Sequence, residues 1–145
     1  MAGSASDWLE NAALDHILGR ATTELSTGAN ANVYIALWNS TMNDTFTAAS
    51  TGECAGSTYF PRTLVANSSA NWTNSTGGSK HNKTTITVTT SAGADWGTIN
   101  SVAIIDTTST AAGNILWWAD LAVPQVISAG NTVQFTTGDL VITLT

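Results

Sequence analysis

The stretch NVYIALWN, residues 32–39, decides the fold class. Its residues alternate between two sets, Val33, Ile35 and Leu37 on one side and Tyr34, Ala36 and Trp38 on the other. A period of two is typical of a β-strand with one buried face and one solvated face. TTITVTT at residues 84–90 and DLVITLT at residues 139–145 alternate in the same way, which predicts half-buried strands along the body of the chain.

The rest of the chain beyond residue 32 continues in short apolar runs that are separated by turns. The runs are TYFPRTLVA, TINSVAIID, NILWWADLAV and TVQFTT, with turn signals such as STGG and SAGNT. Seven or so short, threonine-rich strands predict a single domain, residues 1–145, in which residues 32–145 form an antiparallel β-sandwich or jelly roll. Pro61 and Pro124 are expected at edges or bends, because proline cannot donate to a strand ladder. Residues 40–58 lack apolar periodicity and are expected to form a long loop or arm.

The stretch SDWLENAALDHILGR, residues 6–20, predicts one helix within an N-terminal segment of residues 1–20. Ser6 or Asp7 is the candidate N-cap, and Gly19 stands where helices commonly end. The apolar residues form three stripes around the helix, which is more apolar surface than one sheet covers. We therefore expect a helix that docks on a second subunit or a larger partner, the alternative being burial within its own domain. The expected interface residues are Trp8, Leu9, Leu14, Ile17 and Leu18.

The charge of the chain excludes two classes of partner. Charged residues make up only 10% of the sequence, and ten acidic against four basic residues give a net charge of −6. Such a chain repels nucleic-acid phosphates and anionic lipid headgroups, so we expect neither nucleic acid nor membrane as a partner. The one basic cluster, Lys80, His81 and Lys83, is interpreted as a solvated turn rather than a phosphate site.

No targeting segment is visible in the sequence. The first residues lack the basic and apolar regions of a signal peptide, and no apolar run approaches the length of a membrane helix. Six Asn-X-Ser/Thr triplets occur, and we interpret them as by-products of a composition rich in Asn, Ser and Thr.

No pattern in the sequence predicts a catalytic residue, a cofactor or a metal. The single cysteine, Cys54, cannot form an internal disulfide and is interpreted as a buried or loop thiol. His16 has Arg20 four residues ahead and Ala12 four residues behind, so the helix lacks a metal-binding pair. There is also no nucleophile elbow, phosphate loop or dinucleotide fingerprint.

Carboxylates and tryptophans are the remaining candidates for chemistry. Asp95 and Asp106 stand at the two ends of one candidate strand, about 35 Å apart when extended at about 3.3 Å per residue, whereas a glycosidase pair needs roughly 5–9.5 Å. Each is expected to open or close a turn, and Asp120 is a third carboxylate. Trp117 and Trp118 are consecutive, so a strand sends one into the core and the other outward.

The order of these segments resembles a family of small virion proteins of tailed bacteriophages that are often labelled tail fibre proteins. The resemblance is carried by DWLENAALDHILGR, VYIALW, STYFPRTLVANSSANW, DWGTINSVAIID, GNILWWADLAVPQVISAGNTVQF and GDLVITL, over nearly the whole chain. It implies an N-terminal helix followed by a compact β-sandwich, in a protein of the virion that is assembled in the host cytoplasm.

Two functions from different classes follow from the sequence and the resemblance. The first is a non-enzymatic capsid cement or decoration protein, which contacts the major capsid protein and forms a homo-oligomer, with a trimer as the working expectation. A low-charge surface suits this role, because it meets a large lattice without desolvating many charges. The alternative is a tail-fibre or tail-tip module that binds host-surface carbohydrate, which an exposed aromatic pocket would favour.

Overall fold

The computed structural model describes residues 2–10, 13, 32–54, 62–89 and 95–143. Residues 7–10 and 13 are helical, and the other described residues form strands and connecting loops. The strands are β1 (Ala2–Ala5), β2 (Asn32–Trp38), β3 (Thr63–Ala66), β4 (Ser79–His81), β5 (Ile86–Thr89), β6 (Gly97–Ile105), β7 (Ile115–Ile127), β8 (Thr132–Phe135) and β9 (Val141–Thr143). The predicted fold class, mainly β with one short N-terminal helix, is confirmed.

The strands form two sheets. The larger sheet has seven strands in the order β3-β2-β6-β7-β1-β9-β4, and β5 pairs with β8 in the second sheet. These pairings are antiparallel except that of β1 with β9, which is parallel. Ala2 and Gly3 pair with β9, whereas Ser4 and Ala5 pair with β7. β1 therefore joins the β3-β2-β6-β7 part of the larger sheet to β9 and β4.

The inner core lies between the larger sheet and the β5–β8 pair. It contains alternate side chains of β2, β6 and β7, among them Ile35 and Trp117, packed with Ile86 and Val88 of β5. Thr87 is exposed between these last two residues, so the predicted alternation of β5 is confirmed. Burial of each large aliphatic side chain is worth about 1.5–3 kcal/mol, which makes this core the main source of cohesion between the two sheets.

An outer core lies on the opposite face of β2, β6 and β7. Ala36 and Trp38 of β2 are both fully buried there, together with Ile105 of β6. Met42 and Phe46 pack on this cluster from the segment that follows β2. The expectation that the second face of β2 is solvated is therefore wrong, because a loop covers it.

Residues 40–54, which fall in the predicted loop or arm, fold back onto the sheet and form this cover. At its far end the Cys54 amide donates to the Leu37 carbonyl at 2.8 Å, and the Asn39 amide donates to the Gly52 carbonyl at 2.8 Å. The end of the cover thereby runs beside the C-terminal end of β2. It lies on the edge of β2 that pairs with β3 nearer the N-terminal end of the strand. Residues 55–58 of the predicted loop lie outside the described residues.

A large bulge interrupts the pairing of β6 with β7. Ile99 pairs with Gln125 and Ser101 with Asp120, so two steps along β6 correspond to five steps along β7. The additional residues of β7 project from the ladder, and Pro124 is among them, which confirms its predicted place at a bend. Pro61 lies outside the described residues.

Two strands differ from the sequence prediction. β1 consists of Ala, Gly, Ser and Ala, residues with little strand preference, and it forms because β7 and β9 flank it. β4 contains Lys80 and His81, which the sequence assigned to a solvated turn. That interpretation is wrong for these two residues, since pairing with β9 makes them part of a strand.

Candidate functional site

The start of the N-terminal helix is anchored on β7 through Ser6. The Leu9 amide donates to Ser6 Oγ at 3.3 Å and the Glu10 amide to the Ser6 carbonyl at 3.0 Å, so Ser6 is the N-cap. Ser6 Oγ in turn donates to the Ile115 carbonyl, and the Ser6 amide approaches the Leu116 carbonyl at 3.5 Å. The cap residue thus fixes where the helix leaves the sheet.

The predicted interface residues are only partly within the described structure. Trp8 and Leu9 are half-buried at the start of the helix. Leu14, Ile17 and Leu18 lie outside the described residues, as do His16 and Arg20. The docking role of this helix remains a prediction.

Leu9 lines an apolar cleft of about 140 Å³ between the helix start and the larger sheet. The other lining residues come from β2, β4, β6, β7, β9 and the segment after β3: Val33, Asn67, Trp72, Lys80, Ile104, Leu116, Trp117 and Ile142. Pockets for small-molecule ligands usually measure about 300–1,000 Å³. The cleft is smaller than that and matches the volume of a few apolar side-chain atoms.

The most exposed apolar surface of the described residues is a ridge on β7. Residues 122–126 are all exposed, and Val123 and Val126 show 67% and 72% of their surface to solvent. We call Ala122, Val123, Pro124, Gln125 and Val126 the β7 ridge. The bulge lifts Ala122, Val123 and Pro124 off the ladder, and Gln125 and Val126 pair with Ile99 and Thr98 of β6. Beyond Trp118 the described pairing of β7 is with β6 alone.

Asp95 and Asp106 lie at separate turns and accept hydrogen bonds there. Asp95 Oδ1 accepts from the Ala129 amide at 2.7 Å, and Asp106 Oδ1 accepts from the Asn114 amide at 2.8 Å. The predicted turn roles of these two residues are confirmed. Asp120 lies on β7 itself, where Oδ1 accepts from the Met42 amide at 3.0 Å and therefore holds the cover of the outer core.

The aromatic side chains of the described residues offer no open platform for a sugar ring. Trp38, Trp72, Trp96 and Trp117 are at most 5% exposed. Trp117 lies in the inner core and Trp118 packs on the outer core, so the two do point to opposite faces as predicted. The cover makes Trp118 half-buried rather than open to solvent.

Sequence reasoning missed a buried ion pair between Arg62 and Glu53. Arg62 Nε donates to Glu53 Oε1 at 2.7 Å and Nη2 donates to Oε2 at 2.9 Å. Nη1 donates to the carbonyls of Thr107 and Ala112 at 3.1 and 2.9 Å. The guanidinium thereby ties the end of the cover to the turn between β6 and β7. An arginine in a chain with only four basic residues is the one hint that the sequence offers.

Asn82 is a second missed residue, fully buried between β4 and β5. Its Nδ2 donates to the carbonyls of Thr84 and Thr136 at 2.9 and 2.8 Å, and its Oδ1 accepts from the Leu140 amide at 3.0 Å. It belongs to one of the six Asn-X-Ser/Thr triplets, but its burial removes it from the surface that a glycosylating enzyme reaches. The asparagine of this triplet therefore has a structural role.

The described residues contain no group of three His, Cys, Asp or Glu side chains close enough to hold a metal ion. In the same part of the chain, no helix has the length and apolar character that crossing a membrane requires. Lys83, from the basic cluster, donates from Nζ to the Ser69 carbonyl at 2.8 Å, and Lys80 lines the apolar cleft.

Comparison with known protein families identifies the family of the chain. A family model described as Gp80, podophage GP4 fiber I protein gp80, matches residues 4–143, which is nearly the whole chain. No curated protein matches the chain at a significant level. The match agrees with the resemblance to phage tail fibre proteins that the order of sequence segments indicates. The chain therefore belongs to the Gp80 family of podophage fibre I proteins, a family of structural proteins associated with the virion.

Proposed function

We propose that the chain is a non-enzymatic structural module of the fibre assembly, which attaches to a larger virion protein through apolar contacts. The observation that carries this proposal is the β7 ridge, an apolar surface that the described part of the fold leaves open. Exposed apolar patches on a soluble protein are typical of protein–protein contact sites. The family description favours a fibre component over other virion positions.

The charge of the chain supports attachment by apolar contacts. With only 10% charged residues, the surface loses little solvation when a partner covers it. The ridge carries no charged residue among its five members. Attachment of this kind weakens little when salt is raised from about 50 to 200 mM, unlike binding to phosphates.

The predicted helix supplies a second contact in the proposal. Leu14 and Leu18 are apolar in sequence and, if a partner buries them, each contributes roughly 1.5–3 kcal/mol before ordering costs. Changing both to serine is expected to lower attachment while the β domain stays folded. Unfolding of that variant would instead assign the helix to the core of its own domain.

A capsid cement or decoration role is the second candidate, and it rests on the same low charge and apolar contacts. The two candidates differ in the partner, which is the major capsid protein for a cement protein and another fibre or tail protein for a fibre module. Copy number per virion separates them, since hundreds of copies indicate the capsid and a small number indicates the tail. Carbohydrate binding has less support, because the tryptophans of the described residues are buried or half-buried.

The test of attachment uses the double variant Val123→Asp/Val126→Asp. We expect this variant to be lost from particles, because two carboxylates on the ridge must be desolvated at the contact. Leu64→Asp is the matched control, since Leu64 is 55% exposed on β3, away from the ridge. Both variants should keep the circular dichroism spectrum of the parent chain.

Occupancy in purified virions gives the readout. Wild-type occupancy of the ridge variant, or equal loss of the Leu64→Asp control, would show that the ridge does not attach the chain to the virion. Binding of the purified chain to host-surface glycans, abolished by neither variant, would favour the carbohydrate module instead.

A further inference from the structure

We propose that the β7 ridge docks in an apolar groove rimmed by basic side chains, on a virion protein other than this chain. The inference rests on the proposed function, because it names the chemistry of the partner at the same surface. Two features of the molecule carry it, namely the exposed carboxylates at the ends of the ridge and the charge of the surrounding chain.

The ridge has an aspartate at each end. Asp120 is exposed and stands two residues before the ridge. Asp95 is exposed at the other end, where its Oδ1 accepts from the amide of Ala129, three residues after the ridge. Asp120 pairs with Ser101, and Asp95 stands six residues before Ser101, about 20 Å away at about 3.3 Å per residue. An uncharged apolar surface is therefore bounded by two carboxylates.

Each of these carboxylates keeps one oxygen for a partner. Oδ1 of Asp95 accepts from the Ala129 amide, and Oδ1 of Asp120 accepts from the Met42 amide and lies 2.6 Å from Ser101 Oγ. Within the described part of the chain, no hydrogen bond uses Oδ2 of either aspartate. Both Oδ2 atoms can therefore accept from a lysine or arginine of the partner.

The charge around the ridge has a single sign. Residues 84–145, which include β5 to β9, contain four aspartates and no lysine, arginine or histidine. The lysines and arginine of the described residues are engaged elsewhere: Arg62 is in the buried ion pair, Lys83 donates to a loop carbonyl and Lys80 lines the apolar cleft. The negative potential at the ridge therefore favours a partner surface with positive charge.

The same charges disfavour a second copy of the chain as the partner. Two ridges related by a twofold axis would bring four carboxylates to one contact, and residues 84–145 supply no basic side chain to pair with them. Like charges that face each other across an interface oppose association. The groove therefore belongs to a different protein, and the family match favours a protein of the virion.

The apolar and charged parts of this contact have different effects. Val123 and Val126, 67% and 72% exposed, supply the area that the groove buries and with it most of the affinity. Ion pairs at the rim stay next to water and contribute about three-fold in affinity each. Their main effect is on the choice of partner and the rate of association. Attachment therefore remains mostly apolar and weakens little when salt is raised.

Competition between two tagged chains during phage assembly tests the charged rim. Infected cells receive equal amounts of the parent chain and of the double variant Asp95→Asn/Asp120→Asn. Asparagine keeps an Oδ1 acceptor for the amides of Ala129 and Met42, so the circular dichroism spectrum should be unchanged. In purified virions we expect about ten-fold less of the variant than of the parent, three-fold for each carboxylate.

Asp139→Asn is the matched control. Asp139 is also an exposed turn aspartate that accepts from a backbone amide, that of Thr136, but it lies between β8 and β9. The change removes the same charge as Asp95→Asn, and we expect incorporation equal to that of the parent. Asp95→Asn alone should be incorporated about three-fold less, whereas Asp95→Glu keeps the charge and should match the parent. If the double variant does not fold, these single variants decide.

The rim and the ridge fail separately. Equal incorporation of Asp95→Asn/Asp120→Asn and the parent would refute the basic rim, as would an equal deficit for Asp139→Asn. If Val123→Asp/Val126→Asp is nevertheless lost from virions, the proposed structural function stands without the rim. Wild-type occupancy of the valine variant would overturn both. A parent chain that is dimeric by light scattering, with a monomeric valine variant, would show that the ridge binds a second copy and that the proposed partner is wrong.

Discussion

The two faces of the β2–β6–β7 sheet are both buried, but by different means. On the inner face, side chains of the β5–β8 sheet and Leu140 pack on the larger sheet. On the outer face, residues 40–54 form a cover without regular strands of their own, and only Met42 and Phe46 are its large apolar contacts with the cluster. Strands close one face and a loop closes the other.

The difference lies in what holds each cover in place. The inner cover is fixed by a strand ladder and many apolar contacts, so no single residue is decisive. The outer cover depends on a few polar anchors, among them Asp120, which accepts from the Met42 amide, and the Arg62–Glu53 pair. We therefore expect the outer cover to open first, and single anchors to have large effects.

The largest effect is expected for Arg62→Ala. The change leaves the Glu53 carboxylate, 9% exposed, without its partner and removes a donor from two carbonyls. Breaking a buried ion pair by removing one partner costs about 3–5 kcal/mol, and we expect that loss in the free energy of unfolding measured with urea.

The control for this variant removes both charges. Arg62→Met combined with Glu53→Gln leaves no uncompensated ion, so the loss of stability should be clearly smaller. Equal losses in the single and double variants would show that the charge pair is not what anchors the outer cover.

Asp120→Ala should have a smaller effect, confined to the outer face. The carboxylate accepts from Met42 and lies 2.6 Å from Ser101 Oγ, but Asp120 is exposed and water screens it. We expect a loss of about 1–2 kcal/mol, below the usual value for bonds to charged groups. Hydrogen exchange should accelerate at the Met42 amide and stay unchanged in β5 and β8. Faster exchange in both sheets would mean that the two covers are not independent.

The same contrast explains how far the sequence could predict the fold. The burial of the inner face can be predicted from alternation in the sequence. In β5, Ile86 and Val88 alternate with threonines, which identifies a strand with one buried face. The outer face does not, because Met42 and Ala48 lie in a segment with no periodicity and are buried by tertiary contacts. β1 escaped prediction for the same reason, as its pairing depends on strands more than 110 residues away.

The candidate contact surfaces were predictable to a lesser degree. The Ser6 cap follows from local sequence, and the structure confirms it. The β7 ridge does not follow from local sequence, because NILWWADLAV continues as an apolar run into PQV. Nothing in this stretch shows that three additional residues will form a bulge. A bulge is a mismatch between two strands, and one strand alone carries no sign of it.

The smallest effect is a pH dependence at the seam between the two faces, where the cover ends at Cys54 and its thiol joins the inner core. Burial, and secondarily the Glu53 carboxylate, raises the pKa of the Cys54 thiol from 9.0 to about 12. Below about pH 8 the thiol is protonated in both folded and unfolded chains, so it adds no pH dependence. As the pH rises through 9 the unfolded chain releases the proton and the folded chain retains it, so stability falls as pH rises towards 12. We expect the free energy of unfolding to be about 0.8 kcal/mol lower at pH 9.5 than at pH 7.5 from this group alone.

The variant Cys54→Ala isolates the contribution of the thiol. Other groups titrate equally in the parent chain and in the variant, so only the thiol makes the two plots of unfolding free energy against pH differ in slope. Parallel slopes for the two chains would show that the thiol is not held in the core, and that the cover ends short of the inner face.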